Sequence, residues 1–231
     1  VPTVTELEAR ARIRADQDNS TFPTSAQYLV LIADAAEELW NRMVAAGCKP
    51  AQTAVQIAAT GASSYAIGTN VLAVLSVERH EGAERLPLRR AQEEILPHLR
   101  SLGTGPGEFY DLVGGATSAL TLELFPNPAS GTYTVRYVPR FTRFTAGSDN
   151  WYGPPRSDEY VVLSAAMKAL RKEGDDARDL ESELAAVFED VVRMAPWQDA
   201  QSPGTIADRF PRHRDRRAPF DHPAVRDPWD F

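Results

Sequence analysis

Cysteine is almost absent from this chain: Cys48 is the only one in 231 residues. No internal disulfide can form, so the fold depends on its core and not on an oxidising compartment. A lone cysteine also lacks the paired spacing of a metal site, and just past a helix end it reads as a small buried residue. Histidine is scarce as well. His80, His98, His213 and His222 are scattered, and no H-E-x-x-H pattern brings two onto one helix face. His213 and Asp215 stand close together, but among arginines that would repel a metal ion. There is no G-x-x-x-x-G-K-[ST] phosphate loop, since "GTGPGEF" has the glycines without the lysine and reads as a turn. There is no G-x-S-x-G nucleophile elbow either. Excess basic charge is missing: 25 Lys and Arg face 32 Asp and Glu, and a net charge of −7 argues against a general nucleic-acid binder. No metal, cofactor or catalysis is expected.

One stretch lacks charge altogether. From Pro50 to Val77 there is no Asp, Glu, Lys or Arg, a run long enough to cross a bilayer. Gln52, Thr53, Gln56, Thr60, Gly61, Ser63, Ser64, Gly68, Thr69 and Asn70 interrupt it. Buried strands around a turn are expected there, and no membrane span.

What is present reads as helices flanking a β-rich middle. Thr5 with Glu8 fits a capping box for a helix over about 4–15, and Thr24 with Gln27 fits one for a helix over about 24–46. Behind the second box, Tyr28, Leu31, Ile32, Ala35, Leu39 and Met43 recur at helical spacing, and Gly47 is a stop. "TAVQIAAT" and "VLAVLSVERH" read as strands. "LPLRRAQEEILPHL" reads as a short helix broken near Pro97, and "GTGPGEFYDLVGG" as a turn-rich connection. "SALTLELFPNP" and "GTYTVRYVPRF" read as a hairpin looped through "NPASG". That places four strands and a small helix within about 51–145. Helices over about 158–173 and 176–195 follow. Tyr160, Leu163, Met167 and Leu170 line the first. Leu180, Leu184, Val187, Phe188 and Val191 line the second, with Gly174 and an Asp175 or Asp176 cap at an αα-hairpin joint and Pro196 at the end. Carboxylate runs such as "AQEEIL" and "EGDDARDLESE" read as solvated helix faces.

The close of the chain, "RFPRHRDRRAPFDHPAVRDPWDF" over 209–231, has no helix or strand period. Residues 209–217 carry five Arg against one Asp. Phe210, Phe220, Trp229 and Phe231 stand between Pro211, Pro219, Pro223 and Pro228, which favour extended backbone. Aromatics and arginines dominate binding hot spots. One reading is a disordered solubilising end; on the binding reading, the expected partner-binding residues are Arg209, Phe210, Arg212, Arg214, Arg216, Arg217, Phe220, Trp229 and Phe231.

The order of these features resembles the head-to-tail adaptor (head-completion or connector) proteins of tailed bacteriophages and related gene-transfer particles. It runs from about Val4 to Asp208. The marks, in order, are "ELEARARIRADQDNSTFPTSAQYLVLIADAAEELW", "SSYAIGTNVLAVLSVERHEG", "GPGEFYDLVGG", "LELFPNP" leading to "YTVRYVP", "PPRSDEYVVLSAAMKALRKEGDD" and "PWQDAQSPGTIAD". Ile67-Gly68 departs from the Leu-Pro that similar proteins often carry after the tyrosine.

The resemblance implies an α+β, mainly α fold: a helical bundle of one long helix plus a C-terminal αα-hairpin, a small β-rich insertion, and an extended tail. The domain would span 1–208 and the tail 209–231. It further implies a virion protein, made in the host cytoplasm, forming a ring of about twelve copies between capsid and tail. The ring would dock on the portal through the tail and on the next neck or tail-completion protein through the β part. Pro126, Asn127, Pro128 and Gly131 would face that protein or the channel, through which DNA passes unbound. Two alternatives stay open. One is a DNA-contacting neck protein gripping phosphates with 209–217. The other is a cell-wall hydrolase using two converging carboxylates.

Overall fold

Two threonines start the first two helices. α1 (Val4–Arg14) begins at Thr3, whose hydroxyl accepts from Glu6 N at 3.2 Å while the Glu6 carboxylate accepts from Thr3 N at 2.8 Å. The capping box expected at Thr5 and Glu8 thus lies two residues earlier. Thr5 instead donates its hydroxyl to the Gly147 carbonyl at 3.0 Å, a long-range tie that no local pattern announces. α2 (Ser25–Ala45) carries the expected Thr24–Gln27 box, and Gly47 follows it at φ 82°, the left-handed turn that ends the helix. The structure is a computed structural model that describes residues 1–17, 23–114 and 119–195, all within the compact unit Val1–Gln198.

α4 (Ser157–Glu173) and α5 (Arg178–Met194) form the helical hairpin, with Gly174 at φ 88° closing α4. Asp176 does not cap α5 directly. The N-cap is Ala177, and the Asp176 carboxylate accepts from Arg178 N at 3.1 Å. Pro196 lies outside the described residues. α4 packs against α1, α2 and α5. Leu7, Tyr28, Ile32, Leu39, Met43, Tyr160 and Leu163 are fully buried in the resulting core, with Cys48 among them.

The middle departs from expectation. It holds β1 (Thr53–Ala59), β2 (Ser64–Gly68), β3 (Val71–Glu81), β4 (Glu84–Pro87), β5 (Arg89–Arg90), a 3₁₀ turn (Glu93–Ile95) and α3 (Leu96–Ser101). β6 (Phe109–Val113), β7 (Leu120–Phe125) and β8 (Gly131–Pro139) follow. Two four-stranded sheets form, ordered β1-β8-β3-β4 and β2-β7-β6-β5. Ile57, Val77, Tyr110, Leu122, Leu124, Tyr133 and Val135 fill the core they share. Leu72, Leu75 and Val138 reach the helical core from the first sheet, which is therefore a wall common to both halves. A mainly α bundle with a small β insertion is thus overturned. Eight strands among the described residues make this a mixed α and β fold with a sandwich as a full layer.

Three local causes hid the sandwich. β2, β4 and β5 are five, four and two residues long, too short to show alternation. β6 lies inside the glycine-rich stretch read as a connection. Finally, β7 and β8 are not a hairpin. β7 pairs with β2 and β6, whereas β8 pairs with β1 and β3, so "NPASG" carries the chain from one sheet to the other. Pro97 likewise opens α3 instead of breaking a helix; in a first turn its missing N–H costs no hydrogen bond. The charge-free run becomes β1, β2 and most of β3, and no helix among the described residues is long and apolar enough to cross a membrane.

Candidate interaction surfaces

Residues 140–156 link β8 to α4 without regular structure, a length that compact domains seldom leave unused. The N-terminus holds this loop in place. Val4 N donates to Asp149 O at 2.9 Å, Thr5 N to Gly147 O at 3.0 Å, and Trp151 N to Pro2 O at 3.0 Å. The Asp149 carboxylate accepts from Thr145 N at 2.7 Å and Ala146 N at 3.0 Å, and these backbone bonds hold its pKa below the usual carboxylate value. Trp151 Nε1 donates to Ser157 Oγ at 2.9 Å. Gly153 lies so close that a β-carbon there would collide with Ser157 Oγ and the Trp151 ring.

The loop therefore presents a fixed set of rings. Phe141 meets Phe144 edge-on at 5.3 Å between centroids and lies 5.9 Å from both Trp40 and Trp151. Trp40 Nε1 donates to the Pro139 carbonyl at 3.0 Å. These residues line a cleft of about 660 Å³, with Tyr152 at its margin. Tyr152 is 73% exposed while Trp151 beside it is 4% exposed, so one ring anchors the loop and the other faces solvent. Arg143 at the same margin is held by Asp34 and, at 3.0 Å, by Glu37. Aromatics and arginine are the residue types enriched at protein-contact surfaces. Sequence reasoning did not single these residues out, although "RFTRFTAGSDNWYGPPR" carries four aromatics in one connection.

Of the expected site residues, Pro126, Asn127, Pro128 and Gly131 form the link between sheets. Asn127 Nδ2 donates to Gly61 O at 3.0 Å, Gly61 N donates to Pro128 O at 3.2 Å, and Gly105 N donates to Asn127 O at 3.1 Å. Three loops are thereby tied at one end of the sandwich. Gly131 starts β8 at φ 137°, where a β-carbon would meet the Tyr133 ring at 3.5 Å. Arg209, Phe210, Arg212, Arg214, Arg216, Arg217, Phe220, Trp229 and Phe231 lie outside the described residues, as do His213 and His222.

Catalytic geometry is not assembled in the described clefts. Four of them contain one carboxylate each, Glu108, Glu123, Asp149 and Asp158, so none pairs two acids as a glycosidase would. His80 Nε2 lies 2.7 Å from Thr134 Oγ1 within one sheet. Among the described residues no group of His, Cys, Asp or Glu could hold a metal ion.

Comparison with family models decides the matter. The SU10 adaptor protein model matches residues 2–207. The chain belongs to that family. A search of curated proteins returned no match. The resemblance drawn from motif order, from about Val4 to Asp208, is thus upheld at the level of the family, and this adaptor is a structural component of a phage particle. Its contacts are with other head or tail proteins.

Proposed function

We propose that this adaptor forms a closed ring of about twelve copies that joins the portal to the neck after DNA packaging. The family match over 2–207 carries this reading. Neighbours in such a ring meet head to tail, so each copy presents two different faces. The 209–231 segment docks on the portal: its five arginines between 209 and 217 and its four aromatics supply hot-spot chemistry. The three tied loops around Pro126, Asn127, Pro128 and Gly131 face the next neck protein. A net charge of −7 keeps the passage from holding the DNA that moves through it.

The test is binding of the full chain, and of the chain stopped at Asp208, to the portal ring of the same phage. The full chain binds and the shortened one does not. Equal binding by both would place the segment elsewhere, with the neck protein as its partner. A DNA-gripping role for 209–217 is separated by salt. Phosphate contacts predict a steep loss of affinity for duplex DNA as salt rises, whereas portal docking through aromatics predicts a shallow dependence.

A further inference from the structure

The charge-free run has an unusual place in the sandwich. Among the described residues, strand orders β1-β8-β3-β4 and β2-β7-β6-β5 leave β1 and β4 at the edges of one sheet, and β2 and β5 at the edges of the other. An edge strand leaves every second N–H and C=O unpaired and will accept another strand unless something prevents it.

Three of these edges are protected. β4 is four residues long and carries Glu84, Arg85 and Pro87. β5 is only Arg89–Arg90. β2 has an irregular register between Ala66 and Gly68, which bends the edge away. β1 has none of these devices. Its sequence is TAVQIAA, without charge or proline, and it pairs with β8 through all seven residues without a register shift. Val55, Ile57 and Ala59 turn toward the sandwich core, while Ala54, Gln56 and Ala58 are exposed.

We propose that the outer edge of β1 pairs, antiparallel about a two-fold axis, with β1 of a second copy of this chain. An antiparallel two-fold contact sets the residue on the axis against its own symmetry mate, so charge at the centre is opposed by like charge. β5 would oppose arginine to arginine, and β4 would put its proline into the ladder. β1 opposes Gln56 to Gln56, Val55 to Ile57, Ala54 to Ala58 and Thr53 to Ala59. This register keeps the core-facing residues of both copies on one side, as the strand period of two requires. The small exposed side chains put no bulk or charge in the way, although the chain as a whole carries −7. The β1-β8-β3-β4 sheets of the two copies then join into one continuous sheet. Ring neighbours meet head to tail and cannot use a two-fold edge, so the pairing belongs to copies that have not entered a ring. It does not rest on portal docking and is read without a portal.

The test is the solution mass of the full chain by sedimentation across a concentration series, with Gln56→Lys and Gln56→Glu as variants. Gln56 is exposed, and circular dichroism verifies that both variants keep the native spectrum. Wild-type mass rises from 25.4 kDa toward twice that value with concentration. Each variant alone remains near the monomer mass, because like charges meet at the axis. An equimolar mixture of the two recovers the dimer. Hydrogen exchange slows at alternate β1 amides in the wild type on dimerisation. The proposal is overturned by a wild type that stays monomeric throughout, or by a Gln56→Lys protein that associates as the wild type does. A mixture no heavier than either variant alone overturns the two-fold register.

Discussion

The helical half and the sandwich are built on opposite terms. In the helical half, α4 packs against three helices, and Tyr160, Val161, Leu163, Ala165, Ala166 and Ala169 are 0% exposed. The sandwich buries fewer side chains, and its order depends on pairing between distant strands: β8 lies between β1 and β3, whose sequence numbers are more than 50 residues lower. Local periodicity therefore specifies one half and long-range register the other. The helical half closes its core against the first sheet, while the rest of the sandwich presents edges and tied loops. That division suits an adaptor, which needs a firm body and surfaces that accept neighbours.

The largest effect should come from the helical core. Leu39→Ala removes a side chain that is 0% exposed, and a cavity there should cost about 3 kcal/mol. Because Val138, Leu72 and Leu75 extend the same core from the first sheet, the sandwich should lose its fold at the same denaturant midpoint. Urea unfolding followed by far-ultraviolet circular dichroism and by tryptophan fluorescence tests this. Separate midpoints would make the halves independent.

Next comes the loop between the halves. Gly153→Ala drives a methyl group against Trp151 and Ser157, and should cost about 1–3 kcal/mol. Tyr152→Ala, at the preceding residue but 73% exposed, should leave stability within about 0.5 kcal/mol. Thermal melts of the two variants distinguish an anchor from an offered surface.

How legible each half was follows from the same contrast. The stripes of α2, α4 and α5 repeat every three or four residues, so Tyr28, Leu39, Tyr160 and Val191 were all identified as core, and all are buried. The sandwich was half visible. β1, β3, β7 and β8 carry enough β-branched residues to be read, whereas β6 lies in a glycine-flanked stretch that also fits a turn. Partner sheets were not legible, because "NPASG" has the length of a hairpin loop and only the pairing of β7 with β2 and β6 shows that it crosses over. Nor was the aromatic cleft. Phe141, Phe144 and Trp151 converge only because Val4, Thr5 and Trp151 use backbone bonds to tie the loop to the N-terminus.

A smaller, distributed effect is expected at high pH. Burial raises the pKa of Tyr28 and Tyr160 in the helical half, and of Tyr110 and Tyr133 in the sandwich, above 10.0. A raised folded-state pKa means that the unfolded chain releases its protons first. The stability these groups give is full below pH about 10 and is lost as pH rises through the folded values. Melting temperature should be flat from pH 7 to 9 and fall above 10, and Tyr133→Phe should soften the fall. A modest loss is expected at Thr24→Ala, which removes the α2 cap and should cost about 1 kcal/mol, read as a drop in urea midpoint.

The most direct test of the adaptor account is electron microscopy of portal rings incubated with the full chain. The account predicts added density on one face of each ring, with the rotational symmetry of the ring below it and the 209–231 segment running onto the portal. Portal rings that remain bare, at protein concentrations where the chain is folded, would contradict it.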